Sequence, residues 1–133
     1  MGPKLAVLAC LLALPLAACG TGGRERDAAA VAERFHAALE QDDGQAACVE
    51  LNPETASKLE EQEKKPCEEA ITSLEIPKGG TVADTRVYLT SALASLAEGT
   101  VDFLDESSEG WWISAAGCHP AGPDQPYDCE LEN

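Results

Sequence analysis

A chain of 133 residues carrying 24 Asp and Glu against 9 Lys and Arg has a formal charge of −15, which excludes the basic surface that grips nucleic acid or anionic headgroups. The length suits one domain behind a short leader. Aromatic residues make up only 5% of the chain and cysteines number six, as in small exported domains that supplement a modest core with disulfides.

The leader comes first. Met1-Gly2-Pro3-Lys4 supplies one basic residue, and an apolar run follows from Leu5 to Leu16. That run falls short of the roughly 20 residues a spanning helix needs, and its basic start and small-residue end are those of an export signal over residues 1–18. Ala17 and Ala18 place small side chains beside the expected cut. The stretch Leu16-Ala17-Ala18-Cys19 resembles the lipobox of bacterial lipoproteins. That resemblance implies cleavage before Cys19, a diacylglyceryl thioether on its sulfur, and attachment to the extracytoplasmic face of the cell membrane by more than one acyl chain, where a single chain is marginal. Cys10 would leave with the leader. Residues 20–26, including Arg24 and Arg26, read as a flexible tether reaching about 25 Å at most, with the two arginines close enough to meet anionic headgroups.

The domain is expected over residues 27–133. Asp27 reads as an N-cap to a helix over 28–40, in which Ala28, Val31, Ala32, Phe35, Ala38 and Leu39 form one apolar stripe. Asp42-Asp43-Gly44 stops it. A short helix over 45–51 places Cys48 mid-helix, and Asn52-Pro53 leads into a third over 54–64. The polar run from Glu60 to Lys65 reads as a solvated face. Pro66 suits the first position of a fourth helix reaching Leu74, which carries Cys67. Ile76 to Gly80 is a hinge, and beyond it the pattern turns to β. Strands are expected over 85–90, 100–104 and 111–118, with a turn over 105–110. The segment 91–98 is ambiguous and favours helix on propensity alone. In the last segment, 127–132, Tyr127, Cys129 and Leu131 alternate with Asp128, Glu130 and Glu132, a period of two.

With Cys10 and Cys19 set aside, Cys48, Cys67, Cys118 and Cys129 remain, which allows three connectivities. The local pairs Cys48–Cys67 and Cys118–Cys129 are favoured, and the second would set Leu131 opposite Ala116. No CxxC or closely spaced His pair is present, so neither a metal site nor a cofactor is expected.

Helices first and a strand meander last make an α+β domain. Phe35-His36-Ala37-Ala38-Leu39, Ala47-Cys48 with Leu51 and Pro53, Pro66-Cys67, Gly110-Trp111-Trp112-Ile113, and Ala115-Ala116-Gly117-Cys118 with Tyr127-Asp128-Cys129 resemble a group of small actinobacterial lipoproteins with an NTF2-like (cystatin-like) cone. The resemblance implies a curved antiparallel sheet wrapped on the first helix, and it tips 91–98 toward strand. In enzymatic NTF2-like domains an acid and a tyrosine line the cone, but their motif has no residue-by-residue match here. Candidate pocket residues are His36, Arg86, Tyr88 and Trp112. Asp84, Arg86 and Tyr88 share a strand face, and of Trp111 and Trp112 one is expected in the core and the other partly exposed. A helix-surface or helix–sheet edge place is the expectation for His36 and a solvated loop for His119. No Gly-rich phosphate loop, nucleophile elbow or HExxH occurs. The expectation is a membrane-anchored domain that binds an envelope protein or small ligand. The alternatives are an isomerase- or cyclase-type pocket enzyme and a structural accessory to an envelope protein.

Overall fold

The computed structural model describes residues 22–133; the leader, its cleavage site and Cys19 lie outside them. Four helices are followed by five strands: α1 Gly22–Glu40, α2 Gly44–Cys48, α3 Pro53–Glu63, α4 Cys67–Ser73, then β1 Val82–Tyr88, β2 Ser91–Leu96, β3 Val101–Ser107, β4 Gly110–Pro120 and β5 Tyr127–Glu132. The strands form one antiparallel meander in chain order. This is an α+β domain.

The apolar stripe of α1 lies on the sheet as its spacing requires. Ala28, Val31, Ala32, Phe35, Ala38 and Leu39 are all buried, and His36 with them. They meet Ala92, Ala94, Leu104, Ile113, Ala116 and Leu131 from the inner face of the sheet, while Leu59, Ala70 and Ile71 close the core from α3 and α4. The helix starts at Gly22, so Asp27 is an interior residue rather than its cap. A tertiary contact favours this early start. Arg24 forms an ion pair with Glu106, donates to the Leu89 carbonyl, and lies 5.5 Å from the Trp111 ring centroid. Residues expected in a tether therefore become the first turns of the helix.

The far end of α1 closes on Asp42, whose φ of 52° lets the Asp43 and Asp42 amides donate to the Ala38 and Leu39 carbonyls. This is the double closure usual with glycine at that place. Asp43 then caps α2 by accepting from the Ala46 amide at 3.0 Å. Gly44 allows α2 to touch α4, since a β-carbon there would sit 2.0 Å from the Glu68 carbonyl oxygen. The Cys48–Cys67 disulfide links these two helices. It leaves α2 at its last residue rather than mid-helix, and Pro66 is the cap of α4 rather than its first turn.

Residues 50–52 run beside β4, with the Asn52 amide donating to the Ile113 carbonyl and the Ile113 amide to the Glu50 carbonyl. Asn52 then caps α3 by accepting from the Glu54 amide, with Pro53 in its first turn. Segment 91–96 is a strand despite its helical propensity. It is the second rung of the meander and buries Ala92, Ala94 and Leu96, so tertiary pairing overrides local preference. The expected turn over 105–110 narrows to Ser108-Glu109, because the β3–β4 ladder continues to the Ser107–Gly110 pair. In β4–β5, Cys118 faces Cys129 and is bonded to it, and Ala116 faces Leu131, as the hairpin register required.

Candidate functional site

The chemistry-bearing residues fall into two groups on opposite sides of the sheet. Inside, His36 and Asp102 form a pair with neither side chain exposed. The His36 Nε2 lies 2.6 Å from Asp102 Oδ2, and Nδ1 lies 2.7 Å from the Pro77 carbonyl oxygen. A carbonyl can only accept, so Nδ1 carries a hydrogen; with a carboxylate at Nε2, the arrangement favours the doubly protonated ring. The second carboxylate oxygen, Asp102 Oδ1, accepts from the Gly117 amide at 3.3 Å. Burial pulls the imidazole's pKa down. The hydrogen bond and charge of Asp102 pull it up, helped by the Pro77 carbonyl and the charge of Glu98, and the net direction is above the ordinary histidine range.

Each partner is placed by its element. His36 follows Phe35 on the buried stripe of α1, and the two rings meet edge to face at 5.2 Å. On β3, Asp102 has the same parity as the buried Leu104 and so points inward. Its cross-strand neighbour is Ala94, a side chain small enough to leave room for an imidazole beside the carboxylate. His36 therefore does not occupy a helix surface. Asp102, which sequence reasoning passed over, was signalled by strand parity: an acid at a core-facing position needs a cationic or donor partner. Both side chains are fully buried among the described residues. Three surface clefts, of about 270, 330 and 480 Å³, lie between α1 and β1, between α1 and the β3–β4 hairpin, and along α3. Neither His36 nor Asp102 lines any of them.

On the other side of the sheet the remaining candidates come together on an open face. Arg86, Leu93, Phe103 and Ala115 oppose one another in one row across four strands. Tyr88, Ser91, Asp105 and Trp112 make a parallel row. Trp111 is buried in the core and Trp112 is half-buried, its Nε1–H donating to Ser107 Oγ at 3.0 Å. Arg86 is exposed and donates to Asp84. Arg86, Tyr88 and Trp112 thus share a surface rather than a pocket, and His36 lies on the opposite side of the sheet from them. His119 is exposed near the end of β4. Among the described residues no group of three or more His, Cys, Asp or Glu side chains is arranged to hold a metal ion.

What this arrangement can do is limited by access. The only histidine–carboxylate pair among the described residues is sealed, whereas Leu93, Phe103 and Trp112 are partly open to solvent. No family model, curated protein or solved structure matches this chain.

Proposed function

We propose that this chain is an extracytoplasmic lipoprotein, anchored to the cell membrane through Cys19, whose domain binds a protein or small ligand of the cell envelope without catalysing a reaction. The observation that carries this reading is the pair of disulfides, Cys48–Cys67 and Cys118–Cys129. Such bonds persist in oxidising compartments, which requires export. They also account for every cysteine beyond Cys10 and Cys19, which leaves the Cys19 thiol for the acylation that Leu16-Ala17-Ala18-Cys19 suggests. The NTF2-like cone is the finer fold reading. It is supported by bulges near Val82 and Phe103, since bulges bend strands, here in a sheet packed on α1.

The division between the two faces supports the binding role: a pocket enzyme needs a titratable group that meets substrate, and the His36–Asp102 pair is fully buried. The open face carries Leu93 and Phe103, apolar side chains partly open to solvent that a bound partner would cover.

The anchor is tested by globomycin, which blocks the lipoprotein signal peptidase and should leave a longer form of the protein. The Cys19→Ser variant should leave the membrane fraction. Unchanged size together with membrane retention of the variant overturns the anchor. Crosslinking on intact cells, with Phe103→Asp as the comparison, tests the binding face. The expected result is a crosslinked partner in the parent that is lost in the variant. An identical crosslinking pattern in both overturns that face.

A further inference from the structure

The first described residues of α1 lie at one end of the domain, and that end carries apolar side chains the core does not use. The β1–β2 hairpin turns through Leu89 and Thr90. Leu89 has a φ of 53°, at a place where a two-residue hairpin ordinarily holds Gly, Asn or Asp. Its side chain is 89% exposed. A leucine there neither relieves the turn nor fills the interior. Tyr88 beside it is 58% exposed, and the same cross-strand row ends on the half-buried Trp112. Arg24, in the first turn of α1, donates to the Leu89 carbonyl, so the start of α1 lies against this turn. Cys19 precedes Gly22 by three residues, a contour of about 10 Å.

We propose that this end of the domain is a membrane-seating surface, in which Leu89 enters the bilayer interface and Tyr88 and Trp112 lie at headgroup level. The proposal rests on acylation of Cys19, which would place the start of α1 at the bilayer. Tyrosine and tryptophan favour that level because one part of each ring is apolar and another is wet. The neighbouring cations already have partners, Arg24 with Glu106 and Arg86 with Asp84, and the nearby carboxylates of Asp105 and Glu109 offer no attraction to anionic headgroups. The contact is therefore apolar rather than electrostatic, suits zwitterionic lipid, and persists in salt. A helix of 19 residues spans about 28 Å. The β4–β5 loop, at the end of the sheet where α1 finishes, then faces away from the membrane.

The test uses the mature lipoprotein reconstituted into phosphatidylcholine vesicles whose acyl chains carry bromine, a contact quencher of tryptophan. Leu89→Trp should add emission that is blue-shifted and strongly quenched, and Ala121→Trp, in the β4–β5 loop, should add emission that is neither. Leu89→Gly should lower quenching of the native tryptophans while leaving the melting temperature unchanged or raised, because glycine suits the positive φ. Equal quenching at positions 89 and 121, native quenching unaltered by Leu89→Gly, or quenching abolished by 0.5 M salt overturns the proposal. Intact-mass measurement on the same preparation reports acylation separately. If Cys19 is unmodified, the anchor reading fails on its own, and coupling that thiol to a maleimide-headgroup lipid still decides the seating by the same comparison.

Discussion

Truncating Asp102 to alanine should be among the most damaging single changes in this domain. His36 and Asp102 are both fully buried, so the variant leaves an imidazole with no acceptor at Nε2 and a Gly117 amide without its carboxylate. Breaking one side of a buried ion pair costs about 3–5 kcal/mol, a large share of the roughly 5–15 kcal/mol that holds a domain folded. Asp102→Asn separates charge from shape. Its amide oxygen can accept from Gly117, and its NH2 can donate to Nε2 of a neutral ring whose Nδ1–H still meets Pro77. The two side chains should therefore differ in pH dependence as well as size. In the parent, the folded pKa of His36 is raised. The folded state keeps a proton that the unfolded state releases, so this contribution is complete below about pH 6.5 and is lost as pH rises through the folded pKa. One such proton gives a slope of up to about 1.4 kcal/mol per pH unit within that window. In Asp102→Asn, burial is no longer opposed by the carboxylate and the neutral ring is favoured, so the advantage of the parent should shrink as pH rises. Urea unfolding with the disulfides intact, run from pH 5.5 to 9, measures both effects. Parallel stability curves for parent and Asp102→Asn, or a cost for Asp102→Ala below about 1 kcal/mol, refute the reasoning.

Two further changes test the rest of the scaffold. The disulfides close separations of 19 and 11 residues, so replacing either pair with serine or alanine should cost about 3 kcal/mol in the loop-entropy account, read as a lower urea midpoint. Free thiols at all four positions in the native protein would remove the framework. Gly44→Ala drives a β-carbon into the Glu68 backbone at 2.0 Å. Overpacking of that kind costs about 1–3 kcal/mol, and here it should come with faster amide exchange across α2 and α4. Unchanged exchange would show that the two helices are not in close contact.

Residue types carried much of the fold because its signals are local. The stripe on α1 reflects a periodicity of three to four and the disulfides join cysteines near in sequence, and both led to the observed packing. The alternation in β5 held only for the buried Leu131, since Tyr127 is exposed and meets Phe103 on the open face. Where the fold diverged from those signals, distant contacts decided. Residues 22–26 contain two glycines and no apolar stripe, yet they are helical where Arg24 meets Glu106 and Trp111. The strand at 91–96 has helix-forming residues and depends on its neighbours for its ladders. The site was harder to read. Tyr88 and Trp112 fall in one row only because of the register of three successive strand pairs, which no local pattern encodes. Asp102 could have been noticed by counting parity from Leu104, but its partner on α1 lies 66 residues away.

The position of that pair suggests why a domain with so few large side chains keeps it. The facing surfaces of α1 and the sheet are rich in alanine: Ala28, Ala32 and Ala38 on the helix, Ala92, Ala94 and Ala116 on the strands. Small, smooth surfaces bring the layers close, but they discriminate weakly between one sliding position and the next. A hydrogen-bonded pair discriminates strongly. Slipping β3 by one residue would turn Asp102 outward and bring Phe103 in, leaving His36 buried without its acceptor. Shifting α1 by one residue would move the imidazole off both the carboxylate and Pro77. A buried ion pair is seldom the most stabilising choice for a core, and its best-attested use is to set register. A register role for this pair predicts that Asp102→Asn, which keeps the shape but not the charge, loosens the docking of α1 on the sheet, read as faster amide exchange along α1.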